Sequence, residues 1–228
     1  RQRQMCIRDR WDWERVIGRE QRNLDFLKYI VRKIYRVIRE TEVYMHHQYP
    51  VLKPVLPEKI TFIQANDLAS TYPDLIPKQR EDTACRKHGA VFIIGIGASL
   101  DDGRPHDGRA PDYDDWTTPN GEGIGLNGDI LVWYPILNQA VELSSMGIRV
   151  DATALERQLK LTNTTERRSL YFHSLLLSGR LPLSIGGGIG QSRLCLFCLR
   201  KAHIGEVQAG IWPEEMVELC RRQNIHLF

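Results

Sequence analysis

The chain has 228 residues, 42% of them hydrophobic, enough to bury the core of one large domain or two small ones. Lysine and arginine number 31 against 28 for aspartate and glutamate, and a net charge of +3 is too near balance to argue for nucleic acid or membrane by charge alone. No run approaches a membrane span, the start has arginines without the apolar stretch of a signal peptide, and five scattered cysteines fit a reducing cytoplasm better than a disulfide framework.

Residues 1–10 show no periodicity and read as an artefactual start. Trp11–Asp12–Trp13–Glu14 reads either as a helix entry with Asp12 as N-cap or as a ligand-facing acid between aromatics. Leu24, Leu27, Ile30, Val31, Ile34, Val37 and Ile38 then repeat at three and four, which predicts an amphipathic helix from Arg15 to about Tyr44. Its Arg32, Arg36 and Arg39 belong to a solvated face. Ile60–Ile63 reads as a strand, with Asn66 capping a short helix that ends at Pro73. Pro77 opens a further helix, Gly89 closes it, and Ala90–Ile94 is an apolar central strand.

Asp101 to Pro119 is the most polar loop, and Arg109, Tyr113 and Trp116 among its acids favour a site lid over plain surface. Asn127–Gly128 signals a hairpin turn, followed by a strand over Asp129–Tyr134 and another over Ala140–Val150. Strict alternation puts Glu142 and Ser144 on one face, with Leu143, Ser145 and Gly147 on the other. Inward carboxylates at Asp129 and Glu142 would give the hard-oxygen site that Mg2+ takes when it bridges to phosphates, although spacing alone equally fits two edge-facing acids. Asp151 caps a helix through Leu161, and Asn163 with Glu166 starts the next, which ends at Gly179.

The stretch Leu183 to Arg193 organises the rest. Gly186, Gly187, Gly188 and Gly190 leave backbone without side-chain cover, and an apolar helix over Leu194–Leu199 follows at once. No Gly-Lys-Ser/Thr closes the run, and Gln191 stands where a dinucleotide fingerprint needs glycine. A bare strand beside one fixed cation, Arg193, suits a nucleobase face and a phosphate; a tight packing corner fits the same residues. Cys195 and Cys198 read as two buried thiols rather than a metal pair.

Taken together, WDWERV at 11–16, YPDL at 72–75, GAVFIIGIG at 89–97, RAPDYDDW at 109–116, GLNGDILVW at 125–133, ELSSMGIRVD at 142–151, IGGGIGQSRL at 185–194 and HIGEVQAGIWP at 203–213 resemble the ammonia-dependent asparagine synthetases, the A-type aspartate–ammonia ligases. The resemblance implies an α+β fold, an antiparallel sheet flanked by helices as in the catalytic domain of class II aminoacyl-tRNA synthetases. It implies a cytoplasmic homodimer that joins L-aspartate to ATP as β-aspartyl-AMP and lets ammonia displace AMP. By the same resemblance Asp129 and Glu142 face ATP and Mg2+ above Gly186, Gly187, Gly188 and Gly190, and Arg193 packs on the nucleotide. Asp12, Arg109, Ser145 and Arg149 line the substrate pocket, and Asp114 is the candidate to hold ammonium. The family also carries an amino-terminal segment with the first two class II motifs, the α-phosphate arginine and an aspartate-binding lysine, and has glutamine where Arg10 stands. Residues 11–228 therefore read as the C-terminal two-thirds of one catalytic domain, inactive alone. The rival reading is a synthetase-like fragment or paralogue that binds nucleotide or RNA without catalysis.

Overall fold

A computed structural model describes residues 10–228. Its centre is a six-stranded sheet built from β1 (Arg10–Val16), β2 (Thr61–Gln64), β3 (Ala90–Ile94), β4 (Asn127–Tyr134), β5 (Gln139–Ile148) and β6 (Ser184–Gly190), in the order β1-β6-β5-β4-β3-β2. Every pairing is antiparallel except β2 with β3, which is parallel, so the sheet is mixed at that edge. The helices are α1 (Leu24–Gln48), α2 (Ala65–Thr71), α3 (Pro77–His88), α4 (Ala152–Leu161), α5 (Tyr171–Leu177), α6 (Gln191–Cys198) and α7 (Glu214–Arg222). None is long and apolar enough to cross a membrane.

The two faces of the sheet are covered differently. On one, α1 lays Leu24, Leu27, Ile30, Val31, Tyr35 and Ile38 against Phe92, Ile130, Val132, Met146 and Ile148, joined by Leu196 and Phe197 of α6. Each such fully buried side chain contributes about 1.5–3 kcal/mol by leaving water. On the other face α2 and α3 cover the β2–β3–β4 end and the outer start of β5, packing Leu68 and Ala84 on Val91, Ile93, Leu131 and Ala140. The β5–β6–β1 end of that face is left to the loop at 101–119 and to a small cluster in which α4 and α5 meet at Leu155, Leu159 and Leu176.

Several expectations change. The Trp11–Glu14 stretch is strand, not helix entry: Trp11 and Trp13 alternate with Asp12 and Glu14, and β6 supplies the partner. The helix predicted from Arg15 accordingly starts at Leu24, where Asn23 accepts a hydrogen bond from the Phe26 N–H. Asn66 is not a cap, because α2 begins at Ala65; it instead exchanges two hydrogen bonds with Asp101 and so tethers the start of the polar loop. Asn127–Gly128 is not a turn but the start of β4. The Asn127 side chain donates to the Ile96 carbonyl at 2.8 Å, and a methyl group at Gly128 would strike the Phe92 ring. The hairpin turn comes later, between Tyr134 and Gln139, with Asn138 at φ +50°. Asn163, at φ +55°, is a turn residue, and α5 starts at Tyr171 after a short 3-10 segment. Cys198 is buried as expected, but Cys195 is exposed.

The alternation in β5 also breaks. Ile130 pairs with Ser144 and the next residue, Leu131, pairs with Glu142, so Leu143 is an extra residue in a bulge. Glu142 is thereby brought to the same face as Ser145 and Asp129, not that of Ser144.

Candidate active site

Two cross-strand rows make the floor on the open face. Asp12, Gly188, Ser145 and Asp129 stand side by side in one, and Glu14, Gly186, Gly147 and Asn127 in the next. Side chains from the neighbouring strands lie over Gly186 and Gly188. A methyl group at Gly188 would collide with Arg10 and Asp12, and one at Gly186 with Glu14 and Arg149. Gly187 points the other way, onto Met146, so it contributes backbone but no open floor. The stretch 186–190 is extended as expected, and Arg193 sits in the first turn of the helix that follows.

Over this floor lies a cavity of about 220 Å³ whose lining includes Arg109, Asp114, Glu142, Ser145, Gly188, Gly190 and Arg193, with Arg10, Asp107 and Tyr113. Arg193 Nη1 donates to the Glu142 carbonyl at 3.2 Å and lies 3.4 Å from its Oε2. Arg109 Nη2 lies 2.6 Å from both oxygens of Asp129. Burial works against the Arg109 charge, but the charge and hydrogen bonds of Asp129 outweigh it and hold the guanidinium protonated beyond its ordinary range. The lid reaches this position only because Gly97, at φ +108°, leaves room for the Arg109 stem and the Trp116 ring.

The back wall is built on Arg149. Its Nη1 donates to Asp114, its Nε and Nη2 to Glu14 at 2.9 and 2.8 Å, and its Nη2 also to the Tyr113 hydroxyl at 2.9 Å. The guanidinium lies 3.8 Å from the centre of the Tyr113 ring. Burial raises the Asp114 carboxyl above the ordinary aspartate value, while the Arg149 charge and hydrogen bond oppose the shift. The neighbouring Asp115, fully buried, anchors the lid: its carboxylate takes hydrogen bonds from Arg22 Nη2 at 2.5 Å and from the backbone of Thr117 and Thr118. Burial would raise this carboxyl too, but the Thr118 hydroxyl and Arg22 reverse the sign and hold it below its ordinary value.

The fold thus brings Arg109, Asp114, Glu142, Ser145, Gly188, Gly190 and Arg193 around one cavity. Asp129 stands behind Arg109, Arg149 behind Asp114, Gly186 under the Glu14–Arg149 pair, and Asp12 at the sheet edge 3.5 Å from Arg10. Glu14, Tyr113 and the Arg22–Asp115 anchor are additions. Glu14 was legible, since the W-D-W-E alternation puts it beside Asp12 once the stretch is read as strand; Arg22 carried no local signal. Among the described residues no group of three or more His, Cys, Asp or Glu is gathered as a metal site. Asp129 and Glu142 supply hard oxygen donors on the cavity face, and each is paired with an arginine.

A protein-family model described as Aspartate-ammonia ligase matches residues 2–224. The aspartate–ammonia ligase of Bacteroides fragilis is 60% identical over 220 residues, 96% of this chain and 64% of that protein. Its counterpart in Clostridium perfringens is 55% identical over 219 residues, 96% and 63% of the two chains. The chain spans under two-thirds of the length of these relatives. Among solved structures, the asparaginyl-tRNA synthetase of Entamoeba histolytica in complex with asparaginyl-adenylate aligns with TM-score 0.57 at 17% identity, over 86% of this chain and 45% of that one. The asparaginyl-tRNA synthetase of Pyrococcus horikoshii aligns with TM-score 0.56 at 12% identity, over 85% and 44%. At such identities the likeness establishes the fold, that of a class II synthetase catalytic domain.

Proposed function

Because the chain belongs to the aspartate–ammonia ligase family, we propose that its cavity takes part in ATP-dependent synthesis of L-asparagine from L-aspartate and ammonia. The β-carboxylate attacks the α-phosphate of ATP, pyrophosphate leaves, and ammonia displaces AMP from the acyl adenylate. Attack of one anion on another needs fixed positive charge where charge accumulates. The observation that carries this reading is the pair of arginines, Arg109 and Arg193, lining one cavity with Gly188 and Gly190.

In this scheme Arg193 stacks on the nucleotide and Arg109 meets its phosphates, while Ser145, Arg149 and Asp12 orient aspartate. Asp114, held by Arg149, faces the incoming amine. Asp129 and Glu142 fit Mg2+ in donor chemistry, and the ion would add charge neutralisation at the phosphates. The full-length protein pairs as a homodimer, a reading supported by the resemblance. The test, on the chain extended with the amino-terminal segment of the Bacteroides fragilis relative, is aspartate-dependent exchange of labelled pyrophosphate into ATP, followed by asparagine formation on adding ammonium. Pyrophosphate exchange that does not depend on aspartate would refute the assignment.

A further inference from the structure

Behind the Tyr113–Arg149 wall lies a second cavity, of about 490 Å³, and Tyr113 is the one described residue that lines both. Part of its wall is apolar, with Val150, Phe172, Leu176 and Leu181; the carboxylates of Glu14 and Asp112 stand in the rest. Asp112 Oδ2 accepts from Arg167 Nη1 at 3.0 Å and lies 3.0 Å from His173 Nε2. His173 is buried, and its second ring nitrogen, Nδ1, is buried with no hydrogen-bond partner. Leaving such a group unpaired costs about 1–3 kcal/mol, and no step described so far uses it.

We propose that this second cavity receives ammonium and removes a proton from it, so that the nitrogen enters the front cavity as ammonia; the inference rests on the ligase reading above. Ammonium has no lone pair and cannot attack a carbonyl. The charged residues that line the cavity are Glu14 and Asp112 against Arg149, an excess of one negative charge. That excess gathers a small cation, while the apolar wall disfavours its charged form. Asp112 accepts the proton, with His173 and Arg167 as positioning residues. One N–H bond of ammonium breaks and its proton is taken up by Asp112. The freed lone pair forms a C–N bond at the β-carbonyl, and the C–O bond to phosphate breaks with its electron pair leaving on AMP. The second proton shed by nitrogen goes to the departing phosphate or to water.

The direct test is nuclear magnetic resonance of the 15N-histidine-labelled chain, with His173→Asn to assign the signal. Ammonium chloride should shift the His173 ring resonances saturably, potassium chloride of equal strength should not, and Asp112→Asn should abolish the response. Identical effects of the two salts, or none, overturn the inference. In the active enzyme, Asp112→Asn and His173→Asn should lower kcat/KM for ammonium about a hundredfold and leave pyrophosphate exchange unchanged. Hydroxylamine, uncharged at neutral pH, should restore near-normal rates. Equal losses with both nucleophiles would mean a structural role and overturn the inference. Missing pyrophosphate exchange in the chain extended with the amino-terminal segment of the Bacteroides fragilis relative would count against the ligase reading, whereas a missing histidine response counts against the ammonium cavity.

Discussion

Adjacent glycines in β6 should fail in opposite ways. A methyl group at Gly187 would lie 2.5 Å from the Ser145 carbonyl oxygen and 2.5 Å from Met146 Cβ, both fixed in the packed sheet. Overpacking of that kind costs about 1–3 kcal/mol, and at about 2–4 °C per kcal/mol for a chain of this size Gly187→Ala should lower Tm by roughly 2 to 12 °C. At Gly188 the obstacles are the far ends of Arg10 and Asp12, which can swing aside, and alanine gains about 0.5–1 kcal/mol over glycine in a strand. Gly188→Ala should therefore melt close to the unaltered protein. Its methyl group stands on the cavity floor, however, and should weaken ATP binding about tenfold, or 1.4 kcal/mol. Thermal melts and isothermal titration with ATP read the two effects separately. Should Gly188→Ala destabilise the fold as much as Gly187→Ala while binding ATP normally, the floor is only packing.

Arg193→Lys should lose nearly as much ATP affinity as Arg193→Ala, because lysine keeps the charge but not the plane that stacks and forks; titration calorimetry checks this, and full affinity in the lysine variant would contradict it. Asp115 is held below its ordinary value in the folded state, so its stabilisation is present above the unfolded aspartate value and is lost as pH falls through the folded one. Melts of Asp115→Asn should lie below the unaltered protein at neutral pH and converge with it in acid. The 228 residues alone should make no asparagine, and extension with the amino-terminal segment of the Bacteroides fragilis relative should restore synthesis; ATP-dependent turnover by the unextended chain would contradict the roles given to that segment.

What the sequence made legible was governed by local chemistry. A short apolar run between glycines reads as a central strand, hence Ala90–Ile94; proline first and glycine last bounded α3; and glycines at 186–190 with Arg193 just beyond announced a strand that runs into a helix with a cation in its first turn. The misses share another cause. Asn127–Gly128 has the composition of a turn, yet tertiary demands place it in β4: a donor for the Ile96 carbonyl and a residue small enough to pass the Phe92 ring. The bulge at Leu143 leaves no trace in composition. Arg22 is 93 residues from Asp115, and only the closed fold reveals their pairing.

The bulge also bears on how the gene can vary in length. With Leu143 as an extra residue, β5 consists of two segments in opposite phase. The outer one, through Glu142, takes its phase from the hairpin at 135–138, and the inner one, from Ser144, takes it from the glycine strand. Loss of one codon on the inner side would turn Ser145 from the cavity toward the α1 core without altering any other residue. Loss of Leu143 itself would restore regular alternation, with Ser144 opposite Ile130 and Glu142 still opposite Leu131 on the cavity face. Related sequences are therefore free to exchange side chains along the outer segment and to drop the extra residue, whereas a deletion between Ser145 and Ile148 would invert the outward and inward faces of the inner segment.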